Sequence, residues 1–309
     1  MPELRVGEHR FTVPPASNLL DALNDAGCAV PYSCRAGSCH ACLVRCLDGV
    51  PDDAKPEALA ADKREQGWRL ACQCSVSSDL RLELFDPRRD GVPAKVSELD
   101  WFGDVLRLRL RPERPFRYQA GQHLVLWREG VARPYSLASL PGEDDFLEFH
   151  LDCRRPGAFC DQARRLQVGD EVRLGELRGG ALHYDPEWND RPLWLLAVGT
   201  GIAPLMGVLR EALRQGHQGP VRVWHVDDTC YLEQTIVRLA VGNIDLMFSC
   251  VSRSQWTTFL NDLQPPRQTI ALVCGGPQRV QALTRRLLVA GLARRQVFAD
   301  AFVRGGSVG

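Results

Sequence analysis

The spacing of apolar and polar positions changes twice along the chain. Leu4-Arg5-Val6 and Arg10-Phe11-Thr12-Val13 flank a Gly7-Glu8-His9 turn and predict two short strands. Ser17 or Asn18 can cap a helix over residues 19–26, with Gly27 as its stop. A cysteine-rich loop over 31–42 comes next, and Arg81-Leu82-Glu83-Leu84 alternates like a closing strand. Residues 86–91 are polar, with Pro and Gly, and read as a linker. Over about 92–190 the period is two, in short runs at 105–110, 123–127 and 146–151 separated by turn signals such as 141–144. That spacing predicts a small barrel, with one helix near 158–166. From Arg191 the pattern changes again. Residues 193–198 form a continuous apolar run, as a strand buried on both faces requires. Leu205, Val208, Leu209, Ala212 and Leu213 then keep helical spacing. Residues 221–226, 244–249, 269–274 and 297–299 read as further strands, and Val280, Leu283, Leu287 and Leu288 mark a last helix. Strands alternating with helices predict a parallel sheet covered on both faces. The expected units are 1–90, 91–190 and 191–309, with residues 304–309 as a flexible end.

Composition narrows the function. The chain has 309 residues, 45% apolar and 25% charged, which is ordinary globular usage. Lys plus Arg and Asp plus Glu are 38 each, so the net charge is zero. No global field draws the chain to nucleic acid or to anionic lipid. No apolar run reaches the ~18 residues of a membrane span. Residues 1–12 lack the apolar core of a signal peptide, so the expected compartment is the cytoplasm. Twelve cysteines are the anomaly, seven of them in the first quarter. In a reducing compartment a chain of this size has no need of a disulfide framework, and clustered cysteines point to metal or redox chemistry.

Cys34, Cys39 and Cys42 stand in C-x4-C-x2-C spacing, with Cys72 following after 29 residues. This is the plant-type [2Fe–2S] pattern, with four thiolates shared between two irons. Gly37 admits a positive φ, and small Ala36, Ser38 and Ala41 let backbone N–H groups approach the sulfurs. A zinc site would more often show two C-x2-4-C pairs. Cys28, Cys46 and Cys74 lie off the pattern and read as small core residues. His40, between two of the cysteines, reads as a solvated loop residue.

Further along stands Arg133-Pro134-Tyr135-Ser136-Leu137-Ala138-Ser139. An Arg suits a phosphate, a Tyr face suits a flat ring, and a Ser hydroxyl suits a ring nitrogen. With the cysteine loop before it and Gly199-Thr200-Gly201-Ile202-Ala203-Pro204 after it, the chain resembles the ferredoxin–NAD(P)H reductase superfamily. The closer likeness is to the three-part reductase components of bacterial ring-hydroxylating dioxygenases and multicomponent monooxygenases. The resemblance implies three folds: an α+β β-grasp [2Fe–2S] ferredoxin, an antiparallel flavin-binding β-barrel and an α/β nicotinamide domain. It implies that Arg133 meets the FAD pyrophosphate, Tyr135 stacks on the ring, and Ser136 lies near N5, with Pro134 and Ser139 completing the signature. Gly157-Ala158-Phe159-Cys160 occupies the family's second phosphate site, at a helix start. Cys160 replaces the usual Ser there, and nearby Arg154 and Arg155 can add charge. Residues 175–180 depart from the usual glycine-proline turn.

The glycine loop at 199–204 follows a buried strand and opens a helix, the context in which backbone can approach a pyrophosphate. Cys274-Gly275-Gly276-Pro277 is similar to the family's CGxP motif, where the Cys sits near the nicotinamide. Asp227 and Asp228 follow the next strand, where a carboxylate can bond a ribose hydroxyl and repel a 2′-phosphate. NADH is therefore expected over NADPH, although Ser252-Arg253 follows the third strand. Phe298-Ala299-Asp300-Ala301-Phe302 resembles the family's acidic–x–aromatic ending, with Phe302 over or beside the flavin and Phe298 open to either a core or a site reading.

The resemblance implies hydride transfer from NADH to FAD, then single electrons to the cluster and on to an oxygenase component or its ferredoxin. That partner is expected to dock around the cluster loop near Arg35 and His40. Other readings remain open on the sequence: a reductase for a deoxysugar dehydratase, a flavin-free carrier or redox sensor with a degenerate reductase half, and a self-sufficient flavin oxidase.

Overall fold

The computed structural model describes residues 1–241 and 245–303. The start of the expected strand at Ile244 and the expected flexible end at 304–309 lie outside the described residues.

The first sheet has the strand order His9–Thr12, Glu3–Val6, Leu80–Leu84, Leu43–Asp48, Trp68–Leu70. Helix Leu19–Asp25 lies across it. Asn18 caps that helix by accepting from the N–H groups of Leu20 and Asp21 at 3.1 and 3.3 Å, so Asn18 rather than Ser17 is the cap. Leu19, Leu20 and Leu23 pack against Leu4, Val44 and Leu82, with Cys74 buried among them and Cys28 and Cys46 at the margin. Pro87–Asp90 form a one-turn helix, because the Asp86 side chain accepts from the Arg88 N–H and Pro takes the first helical position.

The second unit is a six-stranded antiparallel sheet, in the order Val131–Ser136, His123–Arg128, Glu171–Arg178, Val92–Phe102, Val105–Pro112, Leu147–Asp152. A bridge between Leu137 and Phe149 closes it into a barrel. Its helix is Ala158–Ala163. Three strands escaped the pattern, one of them Val131–Ser136 with Pro134 inside it. Val92–Phe102 alternates only over Val92, Ala94 and Val96, and its pairing with the next strand slips near Arg109. Glu171–Arg178 is interrupted by Gly175, where a Cβ would stand 2.8 Å from the Trp127 indole nitrogen. Residues 175–178 of the segment that departs from the family's glycine-proline turn are strand.

The third sheet is wholly parallel, in the order Leu246–Val251, Val221–Val226, Leu193–Val198, Ile270–Gly275, Val297–Ala301. All six residues of Leu193–Val198 are buried. Leu195 and Ala197 face one core with Leu205 and Leu209, and Leu196 and Val198 face another with Leu283 and Leu287. Strand order reverses at this central strand, which opens a crevice at the carboxyl ends. Ala120, Leu140, Leu182 and Trp188 from the barrel side join the first of these cores. Phe298 packs on Trp188 at 4.9 Å, as the core reading expects. Among the described residues no helix is long and apolar enough to cross a membrane. The expectation of no disulfide is corrected: Cys230 and Cys250 are bonded, their Cα atoms 6.0 Å apart.

Candidate functional site

The cysteine loop is held in a wound conformation. Gly37 has φ +78°, and Arg35 and His40 also take left-handed values of 52° and 56°. Such strain in non-glycine residues collects at functional sites. It turns the N–H groups of Ala36, Ser38 and Cys39 toward the Cys34 sulfur, each at 3.3 Å. The side chain of Gln73 donates to the Cys72 sulfur at 3.2 Å. A Cβ on Gly37 would press the Gln73 side chain at 3.1 Å. A hydrogen bond from the Cys39 thiol, joined by these N–H donors, lowers the pKa of Cys34. The Cys42 thiol and then Gln73 lower that of Cys72. The thiols thus stand two and two, Cys34 with Cys39 and Cys42 with Cys72. A paired arrangement with N–H donors aimed at sulfur fits a two-iron cluster better than tetrahedral zinc.

The loop is seated on the barrel. Cys39 and Ala41 are buried against Val125, Trp127 and Ala132, with Cys34 and Phe85 at the edge. Phe85 stacks on Trp127 at 5.3 Å. His40 is buried, which corrects its reading as a solvated residue. Its Nε2 lies 3.0 Å from the Ala58 carbonyl, so that nitrogen carries the proton, and burial pushes its pKa down to about 4.

The Arg133 motif lies on the barrel strand Val131–Ser136, directly beside this contact. Arg133 donates to the Ala132 carbonyl, and among the described residues no carboxylate pairs with it. Tyr135 is half-buried and backed by Phe159 at 5.2 Å. Ser136 faces His123 across the strand pair. The Nε2 of His123 is buried without a hydrogen-bond partner, and the ring lies against the Ser38 backbone. An unpaired guanidinium, a backed aromatic ring and an orphaned buried nitrogen fit a flat, phosphate-bearing flavin. Three expected residues behave differently. The Ser139 hydroxyl is buried, held by the Tyr118 hydroxyl at 2.8 Å and the Glu148 N–H at 3.1 Å, and closes the barrel instead. Phe159 is core. The Cys160 thiol turns inward to the Asp152 carbonyl at 3.6 Å, leaving Gly157 and Ala158 as exposed backbone at the helix start.

At the parallel sheet two loops press together. A Cβ on Gly201 would stand 2.2 Å from the Cys274 carbonyl oxygen, and one on Gly275 would stand 2.5 Å from that of Val198. Gly199, Thr200 and Gly201 form one turn before helix Ile202–Arg214, which buries Ala203 and Pro204 in its first turn. Gly276 caps helix Pro277–Val289 with its surroundings open. Cys274 is fully buried. The N–H of Phe302 donates to the Gly275 carbonyl at 2.8 Å, and the Ser33 hydroxyl of the cluster loop donates to the Val303 carbonyl at 2.7 Å. Residues 302–303, the Gly275 loop and the cysteine loop therefore meet at one junction.

The expectation for Asp227 is corrected. Its carboxylate is 3% exposed and is held by Arg154 at 2.8 and 3.0 Å and by Arg253 at 2.9 Å, so it is not open to a ribose hydroxyl. Asp228 is 59% exposed. Arg154, expected at a flavin phosphate, is turned to Asp152 and Asp227.

Residues 4–77 match the family described as the 2Fe-2S iron-sulfur cluster binding domain. The chain is 33% identical to the terephthalate 1,2-dioxygenase reductase component 1 of Comamonas sp, over 94% of each chain. It is 27% identical to the ferredoxin–NAD(P)(+) reductase component of the naphthalene 1,2-dioxygenase system of Pseudomonas putida, over 98% of this chain and 99% of that one. Among solved structures, the Amycolatopsis cytochrome P450 reductase GcoB superposes with a TM-score of 0.66 at 26% identity, covering 98% of this chain and 99% of that one.

Proposed function

The chain belongs to the family of iron–sulfur reductase components of bacterial oxygenase systems, and from that premise we propose that it carries electrons from NADH through FAD and a [2Fe–2S] cluster to an oxygenase component or its ferredoxin. We divide the work among residues 1–90, 91–190 and 191–309, with the cytoplasm, where reduced nicotinamide is at hand, as its setting. One observation carries the reading: the cysteine loop packs on Val125, Trp127 and Ala132, beside the strand that bears Arg133, Tyr135 and Ser136. Among the described residues no carboxylate holds Arg133, which suits it to a flavin phosphate.

The flavin, when bound, accepts two electrons as hydride and gives them up singly. The protein binds, orients and insulates. Arg133 balances phosphate charge, with the backbone of Gly157 and Ala158 at a helix start beside it. Tyr135 and Phe302 would hold the ring, with Pro134 fixing the strand before Tyr135. Gly199, Thr200 and Gly201 bring backbone and a helix N-terminus to the coenzyme pyrophosphate. Gly275, Gly276 and Pro277 open the facing loop. Cys274, buried at the end of its strand, would support the nicotinamide site from behind, and exposed Asp228 would bond the ribose. Cys34, Cys39, Cys42 and Cys72 hold the cluster, and N–H donors on Cys34 stabilise negative charge there. The apolar seat under Cys39 excludes water from the path. The partner meets the open rim around Arg35, whose guanidinium lies 4.7 Å above the Tyr32 ring, and not buried His40. Rapid mixing with NADH tests the order of events. Flavin absorbance must fall before the cluster is reduced, and cluster reduction by NADH in flavin-stripped protein would overturn it.

A further inference from the structure

The loop at 227–232, after strand Val221–Val226, latches the coenzyme domain to the barrel. Asp227 grips Arg154, which is itself held by Asp152 at the end of a barrel strand. Four residues on, the Tyr231 hydroxyl is 3.0 Å from Nδ1 of buried His150, another residue of that strand. The Tyr231 ring sits between His150, Phe102 and His225, with centroids 5.4, 5.5 and 5.6 Å away. Nε2 of His225 in turn donates to the carbonyl of Gly199, the first residue of the coenzyme loop, at 2.9 Å. One short segment thus sets the barrel, the coenzyme loop and the exposed Asp228 relative to one another.

That segment is stapled to the edge strand Leu246–Val251 by the bond between Cys230 and Cys250. The two sulfurs lie 4.0 and 3.9 Å from the Asp227 carbonyl oxygen, directly under the latch. Cys250 is exposed on the outermost strand and Cys230 is half-buried, so a reductant reaches the bond from solvent. Neither cysteine belongs to the cluster set. Arg253 adds bonds to Asp227 and Asp228 that do not depend on the sulfurs.

We propose that Cys230–Cys250 is a thiol–disulfide exchange site, open to small dithiols or a dithiol protein, whose reduction loosens the latch and weakens NADH binding. A reductant thiolate attacks Cys250 Sγ, the S–S bond breaks, and Cys230 leaves as a thiolate that takes a proton from solvent. The second reductant thiol then attacks its own sulfur in the mixed disulfide and releases Cys250. Two electrons and two protons have passed to the protein, and the dithiol has become a disulfide. The predicted change in NADH affinity rests on the crevice being the coenzyme site.

The test uses the flavin- and cluster-loaded full chain, poised anaerobically with reduced or oxidised dithiothreitol and then desalted. Iodoacetamide labelling reads the two cysteines, amide exchange reads residues 227–232, and NADH-driven ferricyanide reduction reads KM. Oxidised protein should be unlabelled at both positions. Reduced protein should be labelled, exchange faster over the latch, and show a KM for NADH raised about fivefold or more at similar kcat. Cys250→Ser should hold the raised KM under both conditions. Equal exchange and equal KM in the two redox forms would overturn the proposal, as would full labelling of oxidised protein. If NADH drives no ferricyanide reduction in either form, the reductase reading fails, and labelling and exchange still decide the staple.

Discussion

Gly201→Ala is the sharpest probe of how the coenzyme crevice is built. The added Cβ would stand 2.2 Å from the Cys274 oxygen, 2.4 Å from its carbonyl carbon and 2.8 Å from the Gly275 nitrogen. All three atoms are backbone, so no rotamer relieves the contact. Gly201 has φ −59°, which any residue adopts, so the cost is overlap and not torsion. Restoring ordinary contact requires the two loops to part by roughly 1 Å. Overpacking of this kind costs about 1–3 kcal/mol. Carried into coenzyme binding, that is a roughly five- to hundredfold rise in the NADH dissociation constant. Carried into stability, it lowers Tm by ~2 °C or more. Gly276→Ala is the comparison, since its Cβ would meet nothing within 4 Å. Calorimetry should show a lower Tm for Gly201→Ala alone, and equilibrium titration should show weaker NADH binding. Wild-type melting and binding by Gly201→Ala, or an equal loss of Tm in Gly276→Ala, would refute the reasoning.

The remaining predictions use other parts of the site. Cys39→Ser should abolish the iron–sulfur EPR signal while NADH still bleaches the flavin; loss of both would mean that the seat on Trp127 and Ala132 depends on the cluster. Cys274→Ala should slow hydride transfer in stopped flow while flavin content stays unchanged, and unaltered kinetics would remove Cys274 from the reacting centre. Asp228→Ala should narrow the preference for NADH over NADPH, measured as the ratio of kcat/KM values; no narrowing would discard its ribose role. His225 is fully buried, and burial lowers its pKa from 6.5 to about 4. The unfolded chain takes up this proton below pH 6.5 and the folded chain only near pH 4, so stability is complete above 6.5 and falls as pH drops between the two. The loss approaches about 3 kcal/mol at pH 4. His225→Gln should flatten the fall of Tm over that range, and an unchanged slope would show that another group titrates.

What was legible in the sequence was what one contiguous stretch dictates. The three cysteines of the C-x4-C-x2-C pattern share nine residues, so their spacing alone points to the chemistry. Strand Leu193–Val198 is buried on both faces, so its run of apolar residues is unbroken. Val92–Phe102 was hidden because Pro93 and a slipped register break its alternation. The partners of Asp227 could not be read from its neighbours, since Arg154 is 73 positions away and Arg253 is 26. The same holds for His40, which looks solvated until the barrel covers it, and for Ser139, whose hydroxyl is already engaged by Tyr118 and Glu148. The Cys230–Cys250 bond required two strands to be laid side by side. The only sequence signal was that both cysteines fall outside the cluster pattern.

The central claim is a continuous path from nicotinamide to cluster within one chain. An anaerobic titration of the purified, cofactor-loaded protein with NADH, followed by visible absorption and low-temperature EPR, tests it most directly. The account predicts bleaching of the flavin bands together with a rhombic reduced-[2Fe–2S] signal. A cluster that dithionite reduces but neither NADH nor NADPH reduces would contradict it.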